Sequence, residues 1–252
     1  MFPLRDDNPA LSTSVATFAI IGINAAAWLL VQGLGTEPAL SRSVCTLGAI
    51  PGDLMGLVPP GTQVPIGPDA VCVVGGEARW VTVLTSMFMH GGWFHILGNL
   101  WFLYIFGDNV EDAMGPLRFV VFYLVCGVAA VAAQTASQPA SPIPLVGASG
   151  AIGGVMGAYA VLYPRAPVHM LVFLGFYVDR ISVPAVLMLG YWFLLQLIGG
   201  VPALANTGGG VAFWAHVGGF LAGLLLIFPF RDPLRVAAHE QHLRLARRRR
   251  WH

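Results

Sequence analysis

The sequence predicts an all-α integral membrane protein, a bundle of six transmembrane helices with both termini in the cytoplasm. Of the 252 residues, 56% are hydrophobic and only 10% are charged, whereas soluble domains carry about 25% charged residues. Six apolar stretches approach the length that a bilayer requires. The arginines are distributed unevenly between the segments that join these stretches, and this asymmetry predicts the orientation.

Apolar residues run almost without interruption through each of the six segments, which is typical of membrane-spanning helices. The segments are residues 14–31, 93–106, 117–136, 150–163, 183–198 and 211–228. A further apolar run, residues 168–178, would reach only about 16 Å as a helix, roughly half of the hydrocarbon core. We therefore predict that this run is an interfacial segment and not a seventh span.

The positions of the thirteen basic residues, all of them arginines, support six spans. With a cytoplasmic N-terminus, only Arg42 and Arg79 fall outside, both in a long first extracytoplasmic loop of residues 33–79. This agrees with the positive-inside rule, and a seventh span would put the seven C-terminal arginines outside. The cytoplasmic arginines are Arg5, Arg118, Arg165, Arg180, Arg231, Arg235, Arg244, Arg247, Arg248, Arg249 and Arg250.

The chain divides into a cytoplasmic N-terminal segment (1–13), a six-helix membrane domain (14–230) and a basic cytoplasmic tail (231–252). We expect the first span to be retained, because no A-x-A-like cleavage site follows it; a signal peptide is the alternative. The tail ends in RLARRRRWH, which is typical of a topology anchor that contacts lipid headgroups. Nucleic-acid binding is the alternative for the tail, and we do not expect it.

Few polar side chains lie at membrane depth, and four of them fall near the outer face. The second, fourth and sixth spans all run from outside to inside. Ser149 begins the fourth span, and His216 lies a few residues into the sixth. His95 and Asn99 lie in the first two turns of the second span and share one helix face, since they are spaced i, i+4.

A serine beside a histidine pairs a nucleophile with a general base, and side-chain or backbone donors can stabilise an oxyanion. The carboxylates near the spans are at the inner side, so we predict a Ser–His dyad without a third acid. Small residues at helical spacing let helix backbones approach closely, which would bring Ser149 to His216. The predicted packing glycines are Gly150, Gly153 and Gly157 in the fourth span, and Gly219 and Gly223 in the sixth.

Four sequence motifs resemble those of the rhomboid family of intramembrane serine proteases and follow one another along the chain in the order found in that family. The resemblance covers residues 80–228 approximately. GASG resembles the G-x-S-G nucleophile motif of that family, and AHVGGFLAG resembles its H-x-x-G-x-x-x-G motif on the last core helix. HGGWFHILGN resembles the H-x-x-x-x-H-x-x-x-N motif, and GDNVEDAMG the G-x-x-x-E-x-x-x-G stretch after the second helix.

The resemblance implies that Ser149 is the nucleophile and His216 its base. It implies that His95 and Asn99, with the backbone N–H of Ser149, stabilise the oxyanion. Substrates would be single-span membrane proteins, cut near the outer surface without metal or other cofactor, and membrane lipids would be the remaining partners. The expected location is a plasma membrane of the bacterial inner-membrane type, with the active site on its extracytoplasmic side.

The sequence departs from the family pattern at two places. Many members carry a Trp-Arg pair in the first loop, where this chain has Val81 and Thr82, with Arg79 and Trp80 just before them. Some members have an aromatic residue four positions after the serine, where it supports the histidine. This chain has Gly153 at that position.

Other interpretations stay open from the sequence alone. The small-residue face of the fourth span would also suit a transporter or a non-catalytic scaffold or chaperone of the same fold. Three histidines at one depth could hold a metal, although His90 is better explained as structural and no cysteine or carboxylate joins the set. Cys45 and Cys72 both lie in the first loop, where an oxidising compartment would permit a disulfide. The oligomeric state is not predicted.

Overall fold

In this computed structural model the described part of the chain comprises residues 2–67, 70–76, 78–174, 177–204 and 210–249, and it contains ten α-helices, two short 3₁₀-helices and five strands. The helices are α1 Val15–Leu30, α2 Ala39–Leu47, α3 Pro51–Leu54, α4 Thr82–Thr85, α5 Trp93–Met114, α6 Pro116–Ser137, α7 Ser149–Leu162, α8 Ala185–Ala203, α9 Phe213–Phe230 and α10 Pro233–Arg249. The strands are β1 Phe2–Asp6, β2 Thr62–Pro65, β3 Val71–Val74, β4 Pro167–Leu174 and β5 Tyr177–Pro184.

The protein is mostly helical, and several of its helices are apolar enough for a membrane. Among the described residues, α6, α8 and α9 have the length and composition needed to cross a bilayer, and α1 and α7 are shorter apolar helices. Helix α7 has only 14 residues, about 21 Å, and it is buried from Gly150 to Tyr159. It is therefore the central helix, packed mainly against α5, α6 and α9.

Glycines bring α7 and α9 into backbone contact. A Cβ atom on Gly219 would lie 1.9 Å from the carbonyl oxygen of Gly150, and one on Gly223 would lie 1.9 Å from that of Gly154. On α7, a Cβ on Gly157 would lie 2.3 Å from a carbonyl oxygen of α9. No side chain fits at these distances, so the two helices approach more closely than larger residues would permit.

Of the other two predicted packing glycines, Gly150 faces α6 and Gly153 faces α9. A Cβ on Gly150 would come within 2.5 Å of the Ala130 side chain on α6. At Gly153 it would lie 3.2 Å from the backbone carbonyl oxygen of His216. Gly153 therefore lies directly against the turn of α9 that carries this histidine.

The prediction of an all-α protein is wrong in one respect, because the described residues include two small antiparallel sheets. Strands β1, β4 and β5 form one, in the order β1–β4–β5. The described residues of the run 168–178, which we predicted as an interfacial segment, belong to β4 and β5; residues 175 and 176 lie outside the described ranges. Within β4, Val168, Met170 and Val172 are buried at alternate positions, the period of two that a strand requires. Length alone was a poor guide to this run, because a strand rises more per residue than a helix.

The first loop is covalently closed by a disulfide between Cys45 on α2 and Cys72 on β3. Strands β2 and β3 form the second sheet. Arg79 donates a hydrogen bond from Nη2 to the carbonyl oxygen of Cys45 at 3.2 Å, and the Thr82 hydroxyl donates to the carbonyl oxygen of Arg79 at 2.6 Å. These contacts hold the region where many family members carry a Trp-Arg pair, while the Trp80 ring is largely exposed.

Helix α5 continues well beyond residue 106, the end of the predicted span, because its acidic residues are paired with backbone donors. Glu111 accepts from the backbone N–H groups of Ala16 and Thr17 at 2.9 and 2.7 Å and from the Thr17 hydroxyl at 2.8 Å. Asp112 accepts from the N–H groups of Leu11 and Ser12. Carboxylates at the positive end of a helix are stabilised there, so Glu111 caps the start of α1, whereas Asp112 holds the segment just before this helix.

The segment predicted as a basic tail is helical from Pro233 to Arg249; residues 250–252 lie outside the described ranges. His239 on this helix is buried, and its Nε2 lies 2.8 Å from Oδ1 of Asn8. Its ring also packs on Tyr163 with 4.9 Å between centroids. Helix α10 is thus attached to the membrane domain through the N-terminal segment and the end of α7.

Candidate active site

Ser149 is the first residue of α7, directly after a loop that glycine allows to turn. Gly147 has φ +128°, a conformation that residues with side chains rarely adopt. Its N–H donates to the carbonyl oxygen of Ser86 at 2.9 Å, which ties the loop to the turn before α5. The first N–H groups of a helix have no acceptor within it, so Ser149 lies where the backbone offers free donors and a positive dipole end.

Ser149 and His216 are in hydrogen-bond contact. The Ser149 Oγ atom lies 2.8 Å from Nε2 of His216, which α9 brings there through the glycine contacts described above. The predicted proximity of these two residues is therefore a geometric fact of the fold.

The other ring nitrogen of His216 has a partner that the sequence analysis missed. Nδ1 lies 2.8 Å from Oε1 of Gln196 on α8, and the Gln196 side chain is 8% exposed. A polar residue within an apolar helix is a functional candidate, and that signal was present in the sequence. It was too weak to use, because nothing in the sequence specifies which face of α8 meets α9.

Trp192, one helical turn before Gln196, also contacts His216. The two rings lie 5.7 Å apart between centroids, tilted by 37°. A Cβ on Gly153 would lie 3.7 Å from the Trp192 ring, so this tryptophan borders the position where some family members place an aromatic residue. In this chain the aromatic neighbour of the histidine comes from α8 and not from α7.

His95 is oriented by the backbone on the other side of Ser149. The N–H of Gly91 donates to His95 Nδ1 at 3.3 Å. Since a neutral imidazole has one donor and one acceptor nitrogen, its Nε2 carries the proton. A Cβ on Gly147 would lie 2.6 Å from this Nε2 and 3.4 Å from Ser149 Oγ, so glycine leaves room for a donor beside the serine.

Asn99 supplies a second donor in the same region. Its side chain is 7% exposed, and within the described part of the chain its Nδ2 group has no hydrogen-bond partner. A buried amide without a partner costs about 1–3 kcal/mol. Unpaired groups of this kind in a folded protein call for an explanation, and use during a reaction is one.

One cavity of about 590 Å³ is lined by Ser149, His216, His95 and Asn99. Among the described residues around it, His95 and His216 are the only titratable groups, and no carboxylate contributes. The remaining walls are mostly apolar, and they come chiefly from α5, α7, α8 and the segments before α7 and α9. They include Phe94, Phe102, Pro144, Leu145, Val146, Ile152, Met156, Trp192 and Val211.

His90 lies behind the cavity and has structural contacts. Its backbone N–H donates to Oε1 of Gln32, and its carbonyl oxygen accepts from Nε2 of the same side chain, both at 2.8 Å. Its ring is fully buried and meets the His95 ring edge-on at 5.2 Å. In the described ranges no three His, Cys, Asp or Glu side chains are grouped so that they could hold a metal ion.

Comparison with known proteins gives a match over the region of the chain that contains this cavity. The Rhomboid domain family model matches residues 77–233, more than half of the chain. Rhomboid-like protein 11, chloroplastic, from Arabidopsis thaliana is 43% identical over 51 residues, which cover 20% of this chain and 18% of that protein. The chain therefore spans less than a fifth of that relative in the match. On the strength of the domain match, the chain belongs to the rhomboid family.

Proposed function

We propose that this protein is an intramembrane serine endopeptidase that cleaves the transmembrane segments of other membrane proteins with a Ser149–His216 dyad. The observation that carries the proposal is the 2.8 Å contact between Ser149 Oγ and His216 Nε2 inside an apolar cavity that also holds the unpaired Nδ2 donor of Asn99. A nucleophile within reach of its base is the arrangement that acyl transfer needs.

In the first step, Ser149 Oγ attacks the carbonyl carbon of the scissile peptide bond while its proton passes to His216 Nε2. The resulting oxyanion accepts from His95 Nε2–H, from the Asn99 amide and from backbone N–H groups at the start of α7. Collapse of this intermediate breaks the C–N bond, and the imidazolium gives its proton to the leaving amine. A water molecule, deprotonated by His216, then hydrolyses the acyl-enzyme and restores the serine.

We propose six membrane spans, formed by α1, α5, α6, α7, α8 and α9, with both termini in the cytoplasm and the site near the outer face. The arginine distribution supports this orientation, and so does the Cys45–Cys72 disulfide, since disulfides persist in oxidising compartments. A plasma membrane of the bacterial inner-membrane type fits both. The apolar walls of the cavity favour a transmembrane segment of a single-span protein as the substrate, and no metal or cofactor is required.

The test is cleavage of a model single-span substrate by the purified protein in detergent and in liposomes. We expect Ser149→Ala to abolish cleavage and labelling by a serine-directed fluorophosphonate, with an unchanged melting temperature. Ser182→Ala, which changes an exposed serine of β5, serves as the matched control and should keep both activities. A folded wild-type protein that neither cleaves nor becomes labelled would favour a non-catalytic scaffold or a transporter.

A further inference from the structure

We infer that Gln196 is a positioning residue that fixes the tautomer of His216, so that the basic nitrogen faces Ser149. This inference rests on the proposed dyad chemistry. It goes beyond the dyad because it assigns a third residue, on a third helix, to the state of the base. The geometry that supports it is a continuous chain of contacts from the backbone of α8 through Gln196 and His216 to Ser149.

The first link fixes the orientation of the Gln196 amide. Its Nε2 group donates to the backbone carbonyl oxygen of Trp192 at 3.1 Å, and a carbonyl oxygen can only accept. The amide therefore cannot be reversed without losing this bond, because a reversed side chain would place two oxygens against each other. Oε1 is left to face His216 Nδ1 at 2.8 Å.

The second link fixes the proton on the imidazole. Since Oε1 of Gln196 only accepts, Nδ1 of His216 must donate, and in the neutral ring Nε2 then carries the lone pair. That lone pair points at the Ser149 hydroxyl 2.8 Å away. In the opposite tautomer an N–H group would face the serine, and the ring could not accept the proton of the nucleophile.

The choice of an amide over a carboxylate suits a site in a membrane. A buried carboxylate would orient the ring equally well, but an ionised group at this depth is costly. Gln196 gives the same orientation without a charge, and no carboxylate lines the described part of the cavity. His95 is the other titratable group there, and its Nδ1 already accepts from Gly91, so it does not compete for Gln196.

The test uses Gln196→Met, which keeps the length of the side chain and removes its acceptor, and Gln196→Glu, which keeps an acceptor for His216 Nδ1 but loses the donor to the Trp192 carbonyl oxygen. We expect Gln196→Met to lower kcat about ten- to a hundred-fold with KM changed by less than about two-fold. This is smaller than the roughly 10⁴-fold loss known for the wrong tautomer in a soluble triad, because the methionine leaves the correct tautomer partly populated.

Nitrogen-15 NMR on histidine-labelled protein gives a readout that a purely structural role would not change. Of the seven histidines, His216 is identified as the signal missing from His216→Ala. The wild type and Gln196→Glu should show a protonated Nδ1, and Gln196→Met a mixture of tautomers. In Gln196→Glu the pH at which half of kcat is lost should rise, because a negative charge beside the ring favours the imidazolium.

Gln134→Met is the matched control, because Gln134 is a buried glutamine on α6 that accepts from the backbone N–H of Ala215, next to His216. It should lower the melting temperature and leave both the tautomer and KM unchanged. A Gln196→Met protein that keeps the protonated Nδ1 signal would overturn the inference, whatever its kcat. Because the NMR readout needs no substrate, a wild type without cleavage would contradict the proposed function alone.

Discussion

Two buried polar residues at opposite ends of α5 differ in their hydrogen bonds. At the C-terminal end, which is the inner end in the proposed topology, Glu111 is 2% exposed and accepts three hydrogen bonds from the start of α1. At the N-terminal end, which is the outer end in that topology, Asn99 is almost as well buried, and its amide donor has no partner in the described structure. The two groups have similar burial, so the difference lies in their partners. A buried polar group that is fully paired stabilises the fold, whereas an unpaired one is available for a ligand or a transition state.

The first test of this comparison replaces the hydrogen-bonded carboxylate of Glu111 at the inner end of α5. Glu111→Gln replaces one acceptor oxygen by an amide that faces backbone donors, so we expect the free energy of unfolding to fall by about 3 kcal/mol. Turnover per folded molecule should stay near the wild-type value, because Glu111 contributes nothing to the cavity. Thermal unfolding in detergent and cleavage on the same preparation measure both quantities.

Glu240→Gln is the control for this change, since Glu240 is exposed on α10 and pairs with Arg244 at 3.6 Å. Exposed pairs of this kind contribute about 0.3–0.5 kcal/mol, so its melting temperature should hardly move. If Glu111→Gln were as stable as Glu240→Gln, the capping role of the inner carboxylate would be excluded.

A matched pair of asparagines on α5 sharpens the comparison. Asn109 donates from Nδ2 to the carbonyl oxygen of Asn8 at 2.9 Å, whereas the same group of Asn99 is unpaired. We expect Asn99→Ala to lower kcat about ten- to a hundred-fold, less than the 10²–10³-fold typical of one oxyanion donor, because other donors remain. Its KM and melting temperature should be nearly unchanged.

Asn109→Ala should give the opposite result, with a lower melting temperature and normal kcat, since its donor ties α5 to the N-terminal segment. Turnover and thermal unfolding need to be measured on the same preparations of both variants. A destabilised Asn99→Ala protein with normal turnover would remove Asn99 from the proposed oxyanion site.

The outer end was largely accessible to sequence reasoning, because it depends on signals that are local. The i, i+4 spacing of His95 and Asn99 predicted their shared face, and both side chains line the same cavity. Apolar length and arginine placement predicted their depth in the membrane, which stays a prediction. Gln196 and Trp192 were missed because their importance depends on how α8 packs against α9, and nothing in the sequence specifies that register. The same limit explains why the pairing of β1 with β4 and the docking of His239 were not foreseen.

The smallest expected effect is the pH dependence of the melting temperature, which should involve a carboxyl group far from the Ser149–His216 cavity. This group is Asp6 on β1, which accepts a hydrogen bond from the Tyr159 hydroxyl near the C-terminal end of α7. Burial outweighs this hydrogen bond and raises the pKa of Asp6 from its ordinary value of 3.8 to about 6. The folded protein therefore holds this proton more tightly than the unfolded chain. The stability that Asp6 contributes is present below about pH 4 and is lost as the pH rises towards 6.

Asp6→Asn removes this dependence, because an amide does not titrate. We expect the melting temperature of the variant, minus that of the wild type, to increase between about pH 4 and 6 and then to level off. Taking the difference cancels the contribution of groups that do not interact with Asp6. Cleavage, in contrast to the stability contributed by Asp6, should rise with pH in both proteins, because His216 loses its proton and can then act as a base. A temperature difference that stays constant from pH 4 to 8 would show that Asp6 is not coupled to folding.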